Sequence, residues 1–365
     1  MSFQKIGFIG LGLIGGSIAK TIKKIYPDVT LIATAGHRET VLEAYEAGVI
    51  ENSDLLRLDA FSDCDYIFLC TPVQRNLSYL RELKDVIQPS CIVTDVGSVK
   101  TDIHKAVITL GMEDHFIGGH PMCGSEKTGF SSATDHLLEN AYYVITPASA
   151  VDQHRVREFQ ELVRSLGAIP LLLDYEKHDF ATATISHLPH VIASSLVNLV
   201  ADLDDEEETM RRIAAGGFKD ITRIASSSPV MWQNICLSNR EQILKLVDSY
   251  IAALTDIRSN IENNRKEEII AFFQKAKDYR DSITTPGAGP IAKSYIVYCD
   301  LIDEAGAIAT LATIMASHNI SIKNIGILHN REFEDGVLQI EFYEKEALEK
   351  AVKLLADNHY IVHER

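Results

Sequence analysis

The chain has 365 residues, more than one ordinary domain holds, and its 46% hydrophobic and 24% charged residues are the balance of a globular protein with sizeable cores. Its 35 lysines and arginines against 51 aspartates and glutamates leave a net charge of −16, which argues against nucleic acid or an anionic membrane as partner. The six cysteines (Cys64, Cys70, Cys91, Cys123, Cys236, Cys299) include no Cys-x-x-Cys pair, and no signal peptide or apolar run of about 18 residues stands out, so the expectation is a cytoplasmic protein without disulfides or zinc.

The first half alternates short apolar runs with helical patterns. Lys5–Ile9, Val29–Ala33, Tyr66–Cys70, Cys91–Asp95 and Phe116–Gly118 read as strands. Leu13–Ile25, Thr40–Ala47, Arg75–Ile87 and Lys100–Leu110 read as the helices between them. Near-continuous apolar strands separated by helices imply a parallel sheet covered on both faces. Ala141–Thr146, a helix over Gln153–Leu166 and Pro170–Leu173 are expected to extend that sheet, giving an α/β domain over 1–173. The rhythm then changes to helices alone over 174–282: Glu176–Leu203, Glu206–Ala215, Phe218–Ala225, Pro229–Asn263 and Lys266–Asp281. A Thr/Pro/Gly stretch at 284–290 reads as a linker. Residues 291–365 carry the order strand (Ser294–Leu301), helix (Gly306–His318), strand (Ile320–Leu328), strand (Gly336–Phe342), helix (Glu346–Asn358) and strand (Tyr360–His363), which predicts an α+β, ferredoxin-like domain.

Gly10-Leu11-Gly12-Leu13-Ile14-Gly15 follows the first strand and opens the first helix. In that context the three glycines serve, in turn, a tight turn, a close approach of backbone to a pyrophosphate, and close packing of helix on strand. The free N–H groups of the helix start suit the anion. The carboxylate expected about 20 residues on, for the adenosine ribose, is missing. Ala33-Thr34-Ala35-Gly36-His37-Arg38 stands there, and Arg38 could face a 2′-phosphate. NAD is expected, with NADP left open.

Three further segments belong at the carboxyl edge of the sheet, where such folds bind ligands: Cys70-Thr71-Pro72, Asp95-Val96-Gly97-Ser98 and the run from Gly118 to Lys127. Thr71, Pro72 and Ser98 are expected beside the cofactor. His120 is excluded from a helix by Pro121 and is placed just past a strand end, where a histidine can serve as general base or merely cap a turn. His187 and His190, at i and i+3, could pair on a metal, but no nearby carboxylate or cysteine completes a set, so no metal is expected.

The glycine run continued through Gly16-Ser17, Asp95-Val96-Gly97-Ser98-Val99-Lys100, Gly119-His120-Pro121-Met122, Glu126-Lys127-x-Gly129, Ser186-His187-Leu188-Pro189-His190 and the segment Gly216 to Ala225 stand in the order of the prephenate dehydrogenases. The chain resembles that family from its start to about residue 282; arogenate dehydrogenases share most of these motifs. The resemblance implies a Rossmann-like first domain, an all-α second domain, a homodimer, and oxidation of prephenate. It matches His120 to the histidine that takes the ring-hydroxyl proton and Ser98 to a serine that orients it. Arg223 matches the arginine on the ring carboxylate; His190, Lys219 and Glu126 match residues at the substrate side-chain end, and Trp232 an aromatic near the mouth. Residues 291–365 resemble the amino-acid-binding ACT family, which implies L-tyrosine as effector, although Ala305 stands where that family has proline. The rival readings are an arogenate or other β-hydroxyacid dehydrogenase, and a non-catalytic amino-acid sensor that keeps NAD as a structural ligand.

Overall fold

A computed structural model describes residues 3–124, 127–283, 295–301, 306–328 and 336–363. Two compact units divide the chain, Met1–Lys277 and Asp278–Arg365. The first begins β1 (Lys5–Ile9), α1 (Leu13–Ile25), β2 (Thr30–Thr34), α2 (Arg38–Glu46), β3 (Tyr66–Leu69), α3 (Val73–Leu83), β4 (Ile92–Asp95) and α4 (Thr101–Leu110). All four strands are parallel, in the order β2-β1-β3-β4. Their side chains are buried almost without exception, as a sheet covered on both faces requires. Lys23 and Lys24 close the last turn of α1 against the helix dipole, and Gly111, left-handed at φ 65°, ends α4.

β5 (Ile117–Pro121), β6 (Tyr142–Pro147), α5 (Gln153–Ser165) and β7 (Ile169–Leu172) follow. They depart from the expectation of a continued parallel sheet. They form a second, mixed sheet in the order β5-β6-β7, with β5 antiparallel to β6 and β6 parallel to β7. A single parallel bridge, Val93 to Phe116, ties it to the first sheet. His120 therefore lies inside a strand, opposite Val144, rather than beyond a strand end. The proline that hid the strand ends β5, an edge strand of its sheet, where proline is tolerated.

The helical part holds α6 (Tyr175–Thr182), a π turn (Ala183–His187), α7 (Leu188–Leu203), α8 (Thr209–Ile213), α9 (Gly216–Thr222), a 3-10 turn (Arg223–Ser226), α10 (Pro229–Ser238), α11 (Arg240–Glu262) and α12 (Lys266–Ser282). Tyr175–Leu203 is continuous helix over 29 residues, apolar and long enough to cross a membrane by length and composition. It nevertheless carries buried His178, Asp179 and His187, whose partners lie on other elements of the unit. The single helix expected over Pro229–Asn263 is two, broken at Asn239. The Asn239 side chain donates to the Asp179 carbonyl at 2.8 Å and meets His187 Nδ1 at 3.2 Å, contacts no local pattern encodes. The large buried cluster of this unit is drawn from residues between Ile6 and Ala168. The helices leave Leu199, Ile213, Ile251, Leu254, Ile261 and Phe273 exposed.

The second unit contains β8 (Tyr295–Leu301), α13 (Ala307–Ser317), β9 (Ile322–Leu328), β10 (Gly336–Phe342), α14 (Lys345–Asp357) and β11 (Val362–His363). Its described strands make an antiparallel sheet in the order β11-β8-β10-β9, with its own buried cluster that includes Val297, Leu311, Leu338 and Leu355. The expected linker at 284–290 and Ala305 lie outside the described residues.

Candidate active site

The glycine loop sits between β1 and α1 as the fingerprint requires. Gly10 has φ 101°, and a Cβ there would lie 2.8 Å from the Cys70 carbonyl oxygen. At Gly15 a Cβ would lie 2.6 Å from the Gly10 carbonyl oxygen. A Cβ at Gly12 would meet nothing within 4 Å, so that side of the backbone is open to a ligand. Gly12 caps α1 without a side-chain hydrogen bond, and the first turn, begun by Leu13 and Ile14, holds no acidic residue. A helix start left uncapped beside open glycine backbone fits a pyrophosphate. Arg38 begins α2 and pairs with Asp54, Nε to Oδ1 3.1 Å, both side chains largely exposed.

Thr71 and Pro72 lead into α3; the Thr71 hydroxyl donates to Asn76 Oδ1 at 2.6 Å. Both line a cavity of about 340 Å³ together with Gly97, Ser98 and, across it, Met231 and Asn234 of α10. Strand ends of the first sheet and a helix of the second part therefore share one cleft.

His120 is half-buried on β5. Its Nδ1 lies 2.8 Å from His178 Nε2, and His178 Nδ1 lies 2.8 Å from Asp179 Oδ1. Asp179 also accepts the backbone N–H groups of Lys100 and Thr101, each at 2.7 Å. Burial alone would raise the Asp179 carboxyl, but these hydrogen bonds hold it below the usual carboxylate range, so it is an anion. The tautomers follow from the network. A carboxylate only accepts, so His178 Nδ1 carries hydrogen and its Nε2 accepts from His120 Nδ1. The lone pair of His120 is thereby left on Nε2. Burial, reinforced by the neighbouring His178, Lys100 and His187, holds the His120 ring well below its ordinary value, so it is neutral near pH 7.

His178 and Asp179 are absent from the residues that the sequence alone singles out. Ser98 lines the cleft, whereas the side chain holding His120 is His178.

The remaining residues lie on the helices. His190 of α7 stacks on Trp232 of α10, ring centroids 3.8 Å apart, and its Nδ1 meets the Ser186 carbonyl at 2.9 Å. Burial and the nearby Arg223 guanidinium lower the His190 pKa. The Trp232 indole N–H is buried without a hydrogen-bond partner among the described residues. Arg223 opens the 3-10 turn, and Lys219 lies on α9; both are exposed. Glu126 lies outside the described residues.

The family pattern "Prephenate dehydrogenase, nucleotide-binding domain" matches residues 18–171, and "Prephenate dehydrogenase, dimerization domain" matches residues 174–275. The chain belongs to the prephenate dehydrogenase family. It is thus a dinucleotide-dependent oxidoreductase. The prephenate dehydrogenase of Bacillus subtilis is 38% identical over 335 residues, 91% of this chain and 90% of that protein. That of Lactococcus lactis is 34% identical over 96% of this chain and 97% of its own length. Among solved structures, A. aeolicus prephenate dehydrogenase in complex with hydroxyphenyl propionate and NAD+ aligns with a TM-score of 0.72 at 28% identity, over 78% of this chain and 99% of that one. Synechocystis arogenate dehydrogenase aligns at 0.69 and 32% identity, over 76% and 99%.

Proposed function

We propose that this chain converts prephenate to 4-hydroxyphenylpyruvate and CO2 with reduction of NAD+, using His120 as the general base. The observation that carries the reading is the His120–His178–Asp179 chain, which leaves a neutral base on β5, within the same compact unit as the dinucleotide cleft. NAD+, held at the glycine loop and beside Thr71 and Pro72, would supply the hydride acceptor for the hydroxyl-bearing ring carbon. His120 Nε2 removes the hydroxyl proton as that carbon is oxidised. The ring carboxylate then departs as CO2, its bonding electrons complete the aromatic ring, and the proton returns to the ring oxygen. Charge balances: a dianion and NAD+ become a monoanion, CO2 and NADH. Ser98, which lines the cleft, orients the hydroxyl, while His178 holds His120. Arg223 grips the ring carboxylate, and His190, Lys219, Glu126 and Trp232 receive the side-chain end; the unpartnered Trp232 N–H supports a polar group of the substrate there. Gly10, Gly12, Leu13, Ile14, Gly15, Thr71 and Pro72 hold the cofactor, with Arg38 at its adenosine end.

The working parts in this reading are a cofactor domain over 1–173, a helical domain over 174–282 and a regulatory domain over 291–365. The exposed apolar residues of α7 to α12 support a homodimer through the helices, in the cytoplasm, since a second copy would cover what lipid or water otherwise meets. The strand and helix order of the second unit supports an ACT-like, ferredoxin-like domain that binds L-tyrosine. The deciding experiment follows NADH absorbance and CO2 release with prephenate and NAD+, and with arogenate in parallel. Turnover of prephenate supports the reading; turnover of arogenate alone, or of neither, overturns it.

A further inference from the structure

Among the described residues Lys100 is the one lysine or arginine whose side chain is wholly buried. It follows the loop that carries Ser98 and precedes α4. Its ammonium donates to Asp95 Oδ2 and, at 2.7 Å, to the Gly119 carbonyl. Asp95 ends β4. Its Oδ2 accepts the Gly97 N–H at 2.9 Å and its Oδ1 the Gly119 N–H at 3.3 Å. The Lys100 backbone N–H meanwhile donates to Asp179 Oδ1 at 2.7 Å. One residue therefore reaches the strand residue next to His120 with its side chain and the far end of the histidine relay with its amide.

Burying an ammonium against a carboxylate is seldom a route to stability; well-packed apolar side chains in the same space often do as well or better. A lysine kept there at that cost calls for another reason. We propose that Lys100 is a positioning residue for the proton transfer: by fixing Gly119 through its ammonium and Asp179 through its amide, it sets the alignment of His120, His178 and Asp179. It does not touch the substrate cleft. It acts through His120.

The ammonium also acts by its charge. The groups facing His120 are His178 on α6, His187 in the π turn and Lys100; Asp179 stands behind His178 and Asp95 behind Lys100. A buried cation near the ring disfavours a second one on it, which keeps the base unprotonated. Loss of the lysine charge removes that bias, and an uncompensated Asp95 would add to the change. Both move the ring in the same direction, toward protonation at higher pH.

This inference rests on His120 being the base. The test compares full-length Lys100→Met and Lys100→Arg with wild type, reading kcat against pH, the KM for prephenate and NAD+ affinity by calorimetry. Lys100→Met should lower kcat at neutral pH roughly ten- to a hundredfold, the usual consequence of a misaligned catalytic group. Its acid limb should move upward, with NAD+ affinity unchanged. Lys100→Arg keeps the cation, so its limb should stay with wild type even where kcat falls. A merely structural lysine would lower kcat in both variants without moving either limb, and that result overturns the proposal. Should Lys100→Met fail to fold, Lys100→Gln, which keeps a donor toward Asp95 and Gly119 but not the charge, takes its place; an unmoved limb there also refutes the idea. His120→Asn separates the two readings. If it retains the acid limb, the base assignment fails; if it abolishes the limb while Lys100→Met leaves it unmoved, only the Lys100 proposal fails.

Discussion

The sheet region and the helical region of the first unit meet at one cleft but are built to different standards of closure. The end of β4, the start of α4 and α6 bring Asp95, Lys100, His178 and Asp179 together with almost no exposure and close hydrogen bonds. On the helical side, Arg223 and Lys219 are exposed, and apolar residues such as Ile251 and Leu254 face outward. The proton-handling half is complete within one chain. The half proposed to grip the substrate sits on helices that leave apolar residues exposed in the single chain. Chemistry that needs a fixed proton acceptor is thus placed where packing is tightest, and recognition where closure around a ligand remains possible.

The largest effect should come from the rigid half. His120→Asn keeps a hydrogen-bonding side chain but removes the base, so kcat should fall by roughly 10² to 10⁴, with prephenate and NAD+ binding retained. Stopped-flow measurement of NADH formation decides it; a variant as fast as wild type would make His120 a structural residue. The open half should fail differently. Arg223→Ala loses a charge-assisted grip on a carboxylate, typically about 2–5 kcal/mol. The KM for prephenate should rise by roughly thirtyfold or more while NAD+ affinity stays put. Equal losses in both halves, or an unchanged KM, would erase the division.

Acid should probe both regions at once. Burial lowers His104, on the sheet side, and His187, on the helical side, each to about 4. The unfolded chain binds those protons near pH 6.5, the folded chain only near 4. Stability is therefore full above pH 6.5 and declines as pH falls toward 4, by up to about 3 kcal/mol for each residue. Denaturant titrations at pH 7 and pH 4.5 should show the loss, and His104→Gln should reduce it. A flat profile between these values would contradict the buried neutral state of both rings.

The sequence exposes the parts of this arrangement that have local causes. Apolar strands alternating with helices and the glycine run at 10–15 are short-range patterns, and the first sheet follows them closely. His178 and Asp179 carry no such signal, because their meaning comes from His120, 58 residues from His178, and from the Lys100 amide, 79 from Asp179. Lys100 itself reads as a helix start, since lysines are normally solvated. The pattern cuts β5 short at Gly118 because Gly119 and Pro121 weaken strand propensity, yet pairing with β6 carries it to Pro121. The break at Asn239 is invisible for the same reason: its cause is a contact with Asp179 and His187, not a glycine or proline.

Removing residues 283–365 should have the smallest effect on turnover, and it tests whether the two-sided cleft is self-sufficient. The cleft and the histidine relay lie within Met1–Lys277, one compact unit. The A. aeolicus structure, aligned over 99% of its own chain but 78% of this one, is a fold of this family built without an equivalent of the remainder. A chain ending at Ser282 retains α12 and all the apolar helix faces, so it should dimerise and turn over prephenate at close to the full-length kcat. L-tyrosine should inhibit the full chain more than the shortened one, because the regulatory site is proposed in 291–365 and an effector acts only through a difference in affinity between two states. Parallel inhibition curves, both competitive with prephenate, would instead place tyrosine in the catalytic cleft, beside His190 and Arg223, where its resemblance to the product would suffice. A shortened chain that is dimeric yet inactive would show that the helical half of the cleft is not finished by a second copy alone but needs the second unit to hold it.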